Sequence, residues 1–247
     1  MKKSYGLIGF PLSHSFSKKY FSNKFLTENI KDCTYELYEI DEIKKVDQIF
    51  QIEGLQGLNV TIPYKHDIMA YLDGLDHSAK KVGAVNVVKI SAEGHRTGFN
   101  SDYYGFRRSL ETWLPEVKSY HAMVLGIGGA ARAVLAVLED LHIPTLKVSR
   151  DATKGDIDYH ELLRRPELLH KHKLIINTTP LGMLPNTDAK PGIDYSQLGK
   201  EHFLYDLIYN PAETSFLAEG KKRGAHTKNG LEMLELQAEK SWEIWNS

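Results

Sequence analysis

The first half of the chain places polar residues where its predicted strands end. Serine and threonine hydroxyls can donate hydrogen bonds to a carboxylate, while lysine, asparagine and aspartate together can donate to and accept from hydroxyl groups. Ligands of open α/β sheets bind beyond the carboxyl ends of the strands, so these side chains predict a pocket for a hydroxylated carboxylic acid. The residues concerned are Ser15, Ser17, Thr61, Lys65, Asn86 and Asp102.

Each of these residues also has a purely structural interpretation. Ser17 and Asp102 could cap helices, Asn86 could satisfy a strand end, and Lys65 could be a solvated helix residue. One residue alone would favour that interpretation. The spread over four separate strand ends favours a pocket.

The second half contains a glycine turn, "MVLGIGGAARAVL", between a predicted strand and a predicted helix. Gly126, Gly128 and Ala131 have the spacing of a dinucleotide-binding turn, in which the first glycine makes the turn and the second lets the backbone approach a pyrophosphate. The phosphates would bind at the helix N-terminus, where free N–H groups and the helix dipole attract anions. A glycine turn made only for packing is the alternative.

The next predicted strand ends in "VSRD", which bears on the nucleotide. Arg150 offers a guanidinium suited to a ribose 2′-phosphate and Lys154 adds a second positive charge, so the stretch favours NADP. Asp151 opposes this, because a carboxylate repels a phosphate and can bind an unphosphorylated ribose. A surface pair between Arg150 and Asp151 is the alternative without a ligand.

Strands and helices alternate along both halves, which predicts an α/β protein with two domains. In the first half we predict strands at 4–10, 34–40 and 58–62, helices at 17–28, 41–52 and 65–72, and a hairpin of 83–90 with 95–100. A linker helix at 102–114 leads to a second α/β unit. That unit has strands at 121–125, 145–149, 174–177 and 203–207, with helices at 130–140 and 159–169. The tail has apolar residues on one helical face.

The amino-acid composition indicates which classes of molecule the protein binds. Lys and Arg number 31 against 32 Asp and Glu, so nothing indicates a surface for nucleic acid or anionic lipid. The apolar run near the N-terminus ends by Pro11, too short for a signal peptide or a membrane span, and the single cysteine, Cys33, cannot form an internal disulfide. We expect a cytoplasmic protein with a small-molecule substrate and no metal.

These residues lie in segments that closely resemble shikimate dehydrogenases. The segments are "PLSHSFS", "LNVTIPYK", "GAVN", "GFNSD", "GIGGAARA", "INTTPLGM", "YDLIYNP" and "NGLEMLELQA", in the order of that family and spread over residues 11 to 238. The resemblance implies NADP-dependent, reversible reduction of 3-dehydroshikimate to shikimate, a step of chorismate and aromatic amino-acid biosynthesis. It also implies a substrate-binding domain at 1–101, a Rossmann-like NADP-binding domain at 102–230, and a C-terminal helix at 231–247 that returns to the first domain.

The resemblance assigns roles to individual residues. It implies that Lys65 and Asp102 form the catalytic pair. As hydride reaches the carbonyl carbon, negative charge grows on the oxygen, which a nearby lysine can stabilise and protonate. The implied substrate-binding residues are Ser15, Ser17, Thr61, Asn86, Tyr209 and Gln237. The implied cofactor-binding residues are Gly126, Gly128, Gly129, Ala130, Ala131, Ser149, Arg150, Lys154, Asn177, Thr178, Met183, Leu207 and Gly230.

The chain also departs from the family pattern. "SRD" replaces the usual "NRT", and Lys154 replaces an arginine, which predicts weaker discrimination for NADP over NAD. The stretch from Asp151 to Lys173 is short for the usual crossover, so we expect a trimmed helix or loop there. The alternatives are a quinate/shikimate dehydrogenase with relaxed nucleotide use and a non-catalytic NADP sensor. The oligomeric state is expected to be a monomer or a homodimer.

Overall fold

The computed structural model describes residues 2–12, 15–151 and 153–247. The chain divides into two compact units. The first unit comprises Met1–Tyr104 with Gln237–Ser247, and the second comprises Gly105–Leu236. Among the described residues, no helix combines the length and the apolar composition that crossing a membrane requires.

The first unit is built on a mixed sheet of six described strands. They are β1 (Lys3–Gly9), β2 (Cys33–Glu39), β3 (Leu55–Val60), β4 (Gly74–Leu75), β5 (Val87–Ile90) and β6 (Arg96–Phe99). The order across the sheet is β2-β1-β3-β5-β6-β4. β1 runs parallel to β2 and β3, whereas β5 is antiparallel to both β3 and β6, so the predicted hairpin is present.

Three short or medium helices lie within the first unit: α1 (Phe16–Thr27), α2 (Val46–Ile49) and α3 (His77–Val82). The predicted helix at 41–52 is wrong in extent, because only α2 and a preceding 3-10 turn form there. Residues 65–72 form a 3-10 helix, Asp67–Tyr71, in place of the predicted α-helix. α3 was not predicted, although Asp76 caps it by accepting from Ala79 N at 2.9 Å.

Two helices pass from one unit into the other, α4 (Ser101–Trp113) and α9 (Leu231–Asn246). The end of α9 completes the core of the first unit. The Trp245 ring stacks on Tyr5 with centroids 4.8 Å apart, and its indole N–H donates to the Val88 carbonyl at 3.0 Å. Gly57 makes room for this indole, since a Cβ there would overlap the ring. The tail therefore belongs to the first unit from Gln237 onwards, while residues 231–236 belong to the second unit.

The second unit contains a parallel sheet of five described strands in the order β11-β10-β9-β7-β8. The strands are β7 (Ala122–Leu125), β8 (Thr145–Val148), β9 (Leu174–Asn177), β10 (Phe203–Asp206) and β11 (His226–Lys228). β7, β9 and β10 are buried along their whole length, which explains their continuous apolar sequence. From β7 the chain continues to β8 on one side of the sheet and then to β9 on the other side of β7. Sheets of this kind bind ligands at such a switch point, outside the carboxyl ends of the strands.

Four described helices complete the second unit: α5 (Ala131–Asp140), α6 (Tyr159–Arg164), α7 (Glu167–Lys171) and α8 (Ser215–Lys222). The helical segment predicted at 159–169 is two short helices separated at Pro166, whose ring cannot continue the α6 hydrogen bonding. The connection between β8 and β9 is thus built from two helices of six and five residues.

Candidate functional site

Lys65 and Asp102 form an ion pair in the first unit. The Lys65 ammonium donates to Asp102 Oδ2 at 2.6 Å, and the two side chains are 34% and 22% exposed. The Lys65 carbonyl is fixed by Val85 N at 2.7 Å. The pair is therefore held in place by both backbone and side chain, yet remains open enough for a ligand to reach it.

Asp102 lies in the first turn of α4 without serving as its cap. Asn100 has that function, because its Oδ1 accepts from Tyr103 N at 3.1 Å while its amide donates to the Ala84 carbonyl at 2.9 Å. The capping interpretation of Asp102 is therefore wrong. Its carboxylate is left to bind Lys65.

A buried polar network supports the strand ends around this pair. Asn86 Oδ1 accepts from Ser101 N at 2.7 Å, and the Ser101 hydroxyl donates to Gln237 Oε1 at 3.2 Å. Asn59 donates to Ser241 Oγ at 2.9 Å. Asn86 and Gln237 are thus brought together through Ser101, and both are buried.

The three remaining candidate residues of the first unit, Ser15, Ser17 and Thr61, differ in their hydrogen bonding. The Ser15 hydroxyl is buried and has no hydrogen-bond partner among the described residues, and it does not cap α1 although it directly precedes that helix. Ser17 lies near the phenol of the buried Tyr35, which donates to Asn59 Oδ1 at 2.8 Å. Thr61 is partly buried just beyond β3, where its N–H donates to the Ile8 carbonyl at 2.9 Å. The hydrogen-bonding capacity of the Ser15 hydroxyl is therefore unused in the described structure.

In the second unit, a cavity of about 310 Å³ lies at the carboxyl ends of β7, β8 and β9. The loops that follow these three strands line it, together with Tyr159 at the start of α6. Six of the predicted cofactor residues are among the lining residues: Gly126, Gly128, Ser149, Arg150, Lys154 and Thr178. Residues predicted to bind the cofactor in three separate segments thus line one cavity in the structure.

The glycine turn has the shape that a phosphate cradle requires. Gly126 has φ +91°, and a Cβ there would overlap the methyl group of Thr179. At Gly128 and Gly129 a Cβ would meet nothing within 4 Å, so the space above the turn is open to a ligand. Ala130 follows them, and Ala131 begins α5 as a fully buried residue. These residues fit a dinucleotide.

In the loop after β8, the Asp151 carboxylate pairs with Lys154 and not with Arg150. Asp151 Oδ1 accepts from the hydroxyl and the N–H of Thr153, at 2.6 and 3.0 Å, and Oδ2 lies 3.4 Å from the Lys154 ammonium. The Thr153 hydrogen bonds and the Lys154 charge hold the pKa of Asp151 below its usual range. Arg150 has no ion pair with any described residue, so the Arg150–Asp151 pair is absent there and the guanidinium is left for a ligand.

Four of the predicted cofactor residues outside the glycine turn and the loop after β8 are not among the lining residues of the cavity: Asn177, Met183, Leu207 and Gly230. The Asn177 side chain is fully buried and bonded to Asp206 and Thr179. Met183 is exposed, and Gly230 approaches the Leu207 carbonyl so closely that a Cβ would overlap it. Tyr209, predicted for the substrate carboxylate, lies in the second unit beyond β10. The roles of these residues stay predictions.

Sequence reasoning missed two residues of the second unit. Tyr159 lines the cavity, and its hydroxyl is buried without a partner in the described structure. Asp206, at the end of β10, is fully buried, and this burial raises its pKa from 3.8 to about 6. A charged residue that ends an otherwise apolar strand, as in "FLYD", was the available signal for Asp206.

Known proteins resemble the chain over nearly its whole length. The family model for the substrate-binding domain of shikimate dehydrogenase matches residues 7–88. The shikimate dehydrogenase (NADP(+)) of Methanococcus aeolicus is 39% identical, covering 98% of this chain and 91% of the relative.

Solved structures give the same result. Shikimate dehydrogenase of Aquifex aeolicus has a TM-score of 0.86 at 33% identity, covering 99% of this chain and 92% of that protein. Shikimate 5-dehydrogenase of Listeria monocytogenes, solved with shikimate and NAD, has a TM-score of 0.89 at 28% identity, with coverage of 99% and 92%. Identity and coverage together show that the chain belongs to the shikimate dehydrogenase family.

Proposed function

We propose that the protein catalyses the reversible, NADPH-dependent reduction of 3-dehydroshikimate to shikimate, a step of chorismate and aromatic amino-acid biosynthesis. The observation that carries the proposal is the Lys65–Asp102 pair, joined at 2.6 Å and open to a ligand in the first unit. The dinucleotide cavity of the second unit supports it. The single cysteine favours a cytoplasmic enzyme, and the balanced charge favours a small-molecule substrate. We propose that the enzyme works as a monomer or a homodimer.

When bound, NADPH supplies the hydride, and the glycine turn with Arg150 and Lys154 would hold its phosphates. Lys65 contributes the charge and the proton: its ammonium stabilises the oxyanion that develops at the ketone oxygen and then protonates it. Asp102 orients that ammonium through the hydrogen bond to Nζ and has a second oxygen with which to accept from a neighbouring substrate hydroxyl.

The unpartnered hydroxyl of Ser15 supports a carboxylate site in the first unit. A buried hydroxyl without a hydrogen-bond partner costs about 1–3 kcal/mol of stability, and a ligand oxygen that accepts a hydrogen bond from it removes this cost. Ser17 would join Ser15 in binding the carboxylate. Thr61, Asn86 and Gln237 would line the same pocket.

A test of the reaction needs four assays: shikimate and quinate, each with NADP⁺ and with NAD⁺. We expect the highest turnover with shikimate and NADP⁺. A preference for quinate would favour the quinate dehydrogenase alternative. Nucleotide binding without turnover in any of the four assays would favour the sensor alternative and contradict our proposal.

Lys65→Ala tests the catalytic pair. We expect turnover to fall by roughly 10²–10⁴, the usual contribution of a positioned proton donor, with nucleotide affinity unchanged. Lys80→Ala, which removes an exposed lysine from α3 of the same unit, is the matched control and should retain full turnover. Wild-type turnover in Lys65→Ala would rule out the role assigned to this lysine.

A further inference from the structure

Asp206 connects three segments at the carboxyl edge of the second-unit sheet. Its Oδ1 accepts from Asn177 Nδ2 at 3.0 Å and from Ile208 N at 3.1 Å, and its Oδ2 accepts from the Thr214 hydroxyl at 2.6 Å. The three donors belong to the end of β9, the loop after β10 and the N-cap of α8. Both carboxylate oxygens are therefore occupied as acceptors.

The Asn177 amide also binds Thr179, a residue that lines the cavity. Its Oδ1 accepts from the Thr179 N–H at 3.0 Å and from the Thr179 hydroxyl at 2.7 Å. Thr179 lines the cavity, and its methyl group occupies the space beside Gly126 that a Cβ would need. Asp206 is thus connected to the glycine turn by two contacts: it binds the Asn177 amide, and that amide binds Thr179, which lies against Gly126.

The orientation of the amide depends on what Asp206 offers it. An acceptor at Asp206 Oδ1 requires that the NH₂ group of Asn177 faces it, which leaves the amide oxygen to bind Thr179. With no acceptor there, the NH₂ group keeps the long hydrogen bond to the Leu181 carbonyl at 3.4 Å, a weaker hold that lets it turn towards the Thr179 N–H. Two donors would then face each other and the cavity wall would lose its fixed position.

We propose that Asp206 is a positioning residue of the nucleotide site, which fixes Thr179 against the glycine turn by orienting the Asn177 amide. The inference rests on the proposed function, because it assumes that the cavity binds the nucleotide. It assigns to Asp206 no contact with the nucleotide and to Asn177 a supporting role within the protein.

Three variants test the proposal through the dissociation constant for NADP⁺, measured by calorimetry without turnover. Asn177→Asp places a carboxylate against Asp206, so we expect binding to weaken by about tenfold or more, as for one lost buried hydrogen bond. The loss should grow from pH 6 to pH 9, as the two carboxylates give up a shared proton. Asp206→Asn keeps an oxygen towards Asn177 and Ile208 and should bind NADP⁺ to within about threefold of wild type.

Thr214→Val is the structural control. It removes a hydrogen bond to the same carboxylate and the α8 cap, so it should lower the melting temperature while leaving nucleotide affinity unchanged. Tyr195 is the other titratable group on which the charge of Asp206 acts; burial chiefly raises its pKa, so it stays neutral across this pH range.

The outcomes separate this inference from the proposed function. Wild-type protein that does not bind NADP⁺ would contradict the proposed function itself. Wild-type binding combined with an unaffected Asn177→Asp, with an equal loss in Asp206→Asn, or with an equal loss in Thr214→Val would overturn the role of Asp206. If Asn177→Asp does not fold, Asp206→Ala takes its place: it removes the acceptor, so unchanged NADP⁺ binding in that variant would overturn the role of Asp206.

Discussion

The buried carboxyl of Asp206 should make the wild-type chain less stable, relative to Asp206→Asn, as the pH rises from about 4 to about 6. Burial raises its pKa from 3.8 to about 6, so the native state holds the proton more tightly than the unfolded chain. The stabilisation from this proton is complete below the unfolded pKa and is lost as the pH rises through the native pKa.

The size of the effect follows from the two pKa values. The difference between about 6 and 3.8, at about 1.4 kcal/mol per pKa unit, corresponds to about 3 kcal/mol. Asparagine keeps the acceptor towards Asn177 and Ile208 but has no charge to bury, so its stability lacks this contribution.

Urea unfolding at a series of pH values between 4 and 8 measures the difference. Subtracting the free energy of unfolding of Asp206→Asn from that of the wild type removes the titration of all groups that the two proteins share. The difference should move by about 3 kcal/mol in favour of the variant as the pH rises. A difference that stays constant, or that moves in favour of the wild type, would refute the reasoning, because the three hydrogen bonds would then outweigh burial.

Three further substitutions have distinct expected results. Ser15→Ala should raise KM for shikimate on the order of tenfold without lowering the melting temperature, since the hydroxyl has no partner in the described structure; a lower melting temperature with unchanged KM would contradict this. Gly128→Ala should weaken NADP⁺ binding at unchanged stability, because its Cβ meets no protein atom within 4 Å, and unaltered binding in titrations would argue against the cradle. Asp151→Asn frees Lys154 and removes a negative charge from the cavity, so the affinity ratio of NADP⁺ to NAD⁺ should rise, most strongly at low salt; the same ratio as wild type would show that Asp151 does not set nucleotide preference.

Much of the fold could be predicted because its signals are local. The glycine turn followed by α5, the hairpin of β5 and β6, and the apolar strands of the second unit each carry a pattern that burial imposes directly. The errors fall where local pattern and tertiary packing disagree. Residues 41–52 have helical spacing, but only Val46–Ile49 forms an α-helix.

The candidate site was predictable as a set of residue types and less so as a set of contacts. The strand ends predicted that Lys65 and Asp102 lie in one polar pocket, while their pairing was implied by the resemblance to the family. The partner of Asp151 could not, since Arg150, Thr153 and Lys154 are all within reach along the chain. The link from Asp206 to Asn177 joins positions far apart in sequence, and neither residue type reveals the other.

The contact between Tyr5 and Trp245 has a consequence for how the protein is made. The second unit is continuous in sequence, so it can fold once Leu236 has left the ribosome, whereas the first unit lacks Trp245 until that residue also emerges. At roughly 5–20 residues per second, synthesis from Tyr104 to Ser247 takes on the order of ten seconds. For that time the aromatic surface around Tyr5 and Phe21 is without its covering helix, which makes the first unit the part of the nascent chain with most need of protection from aggregation.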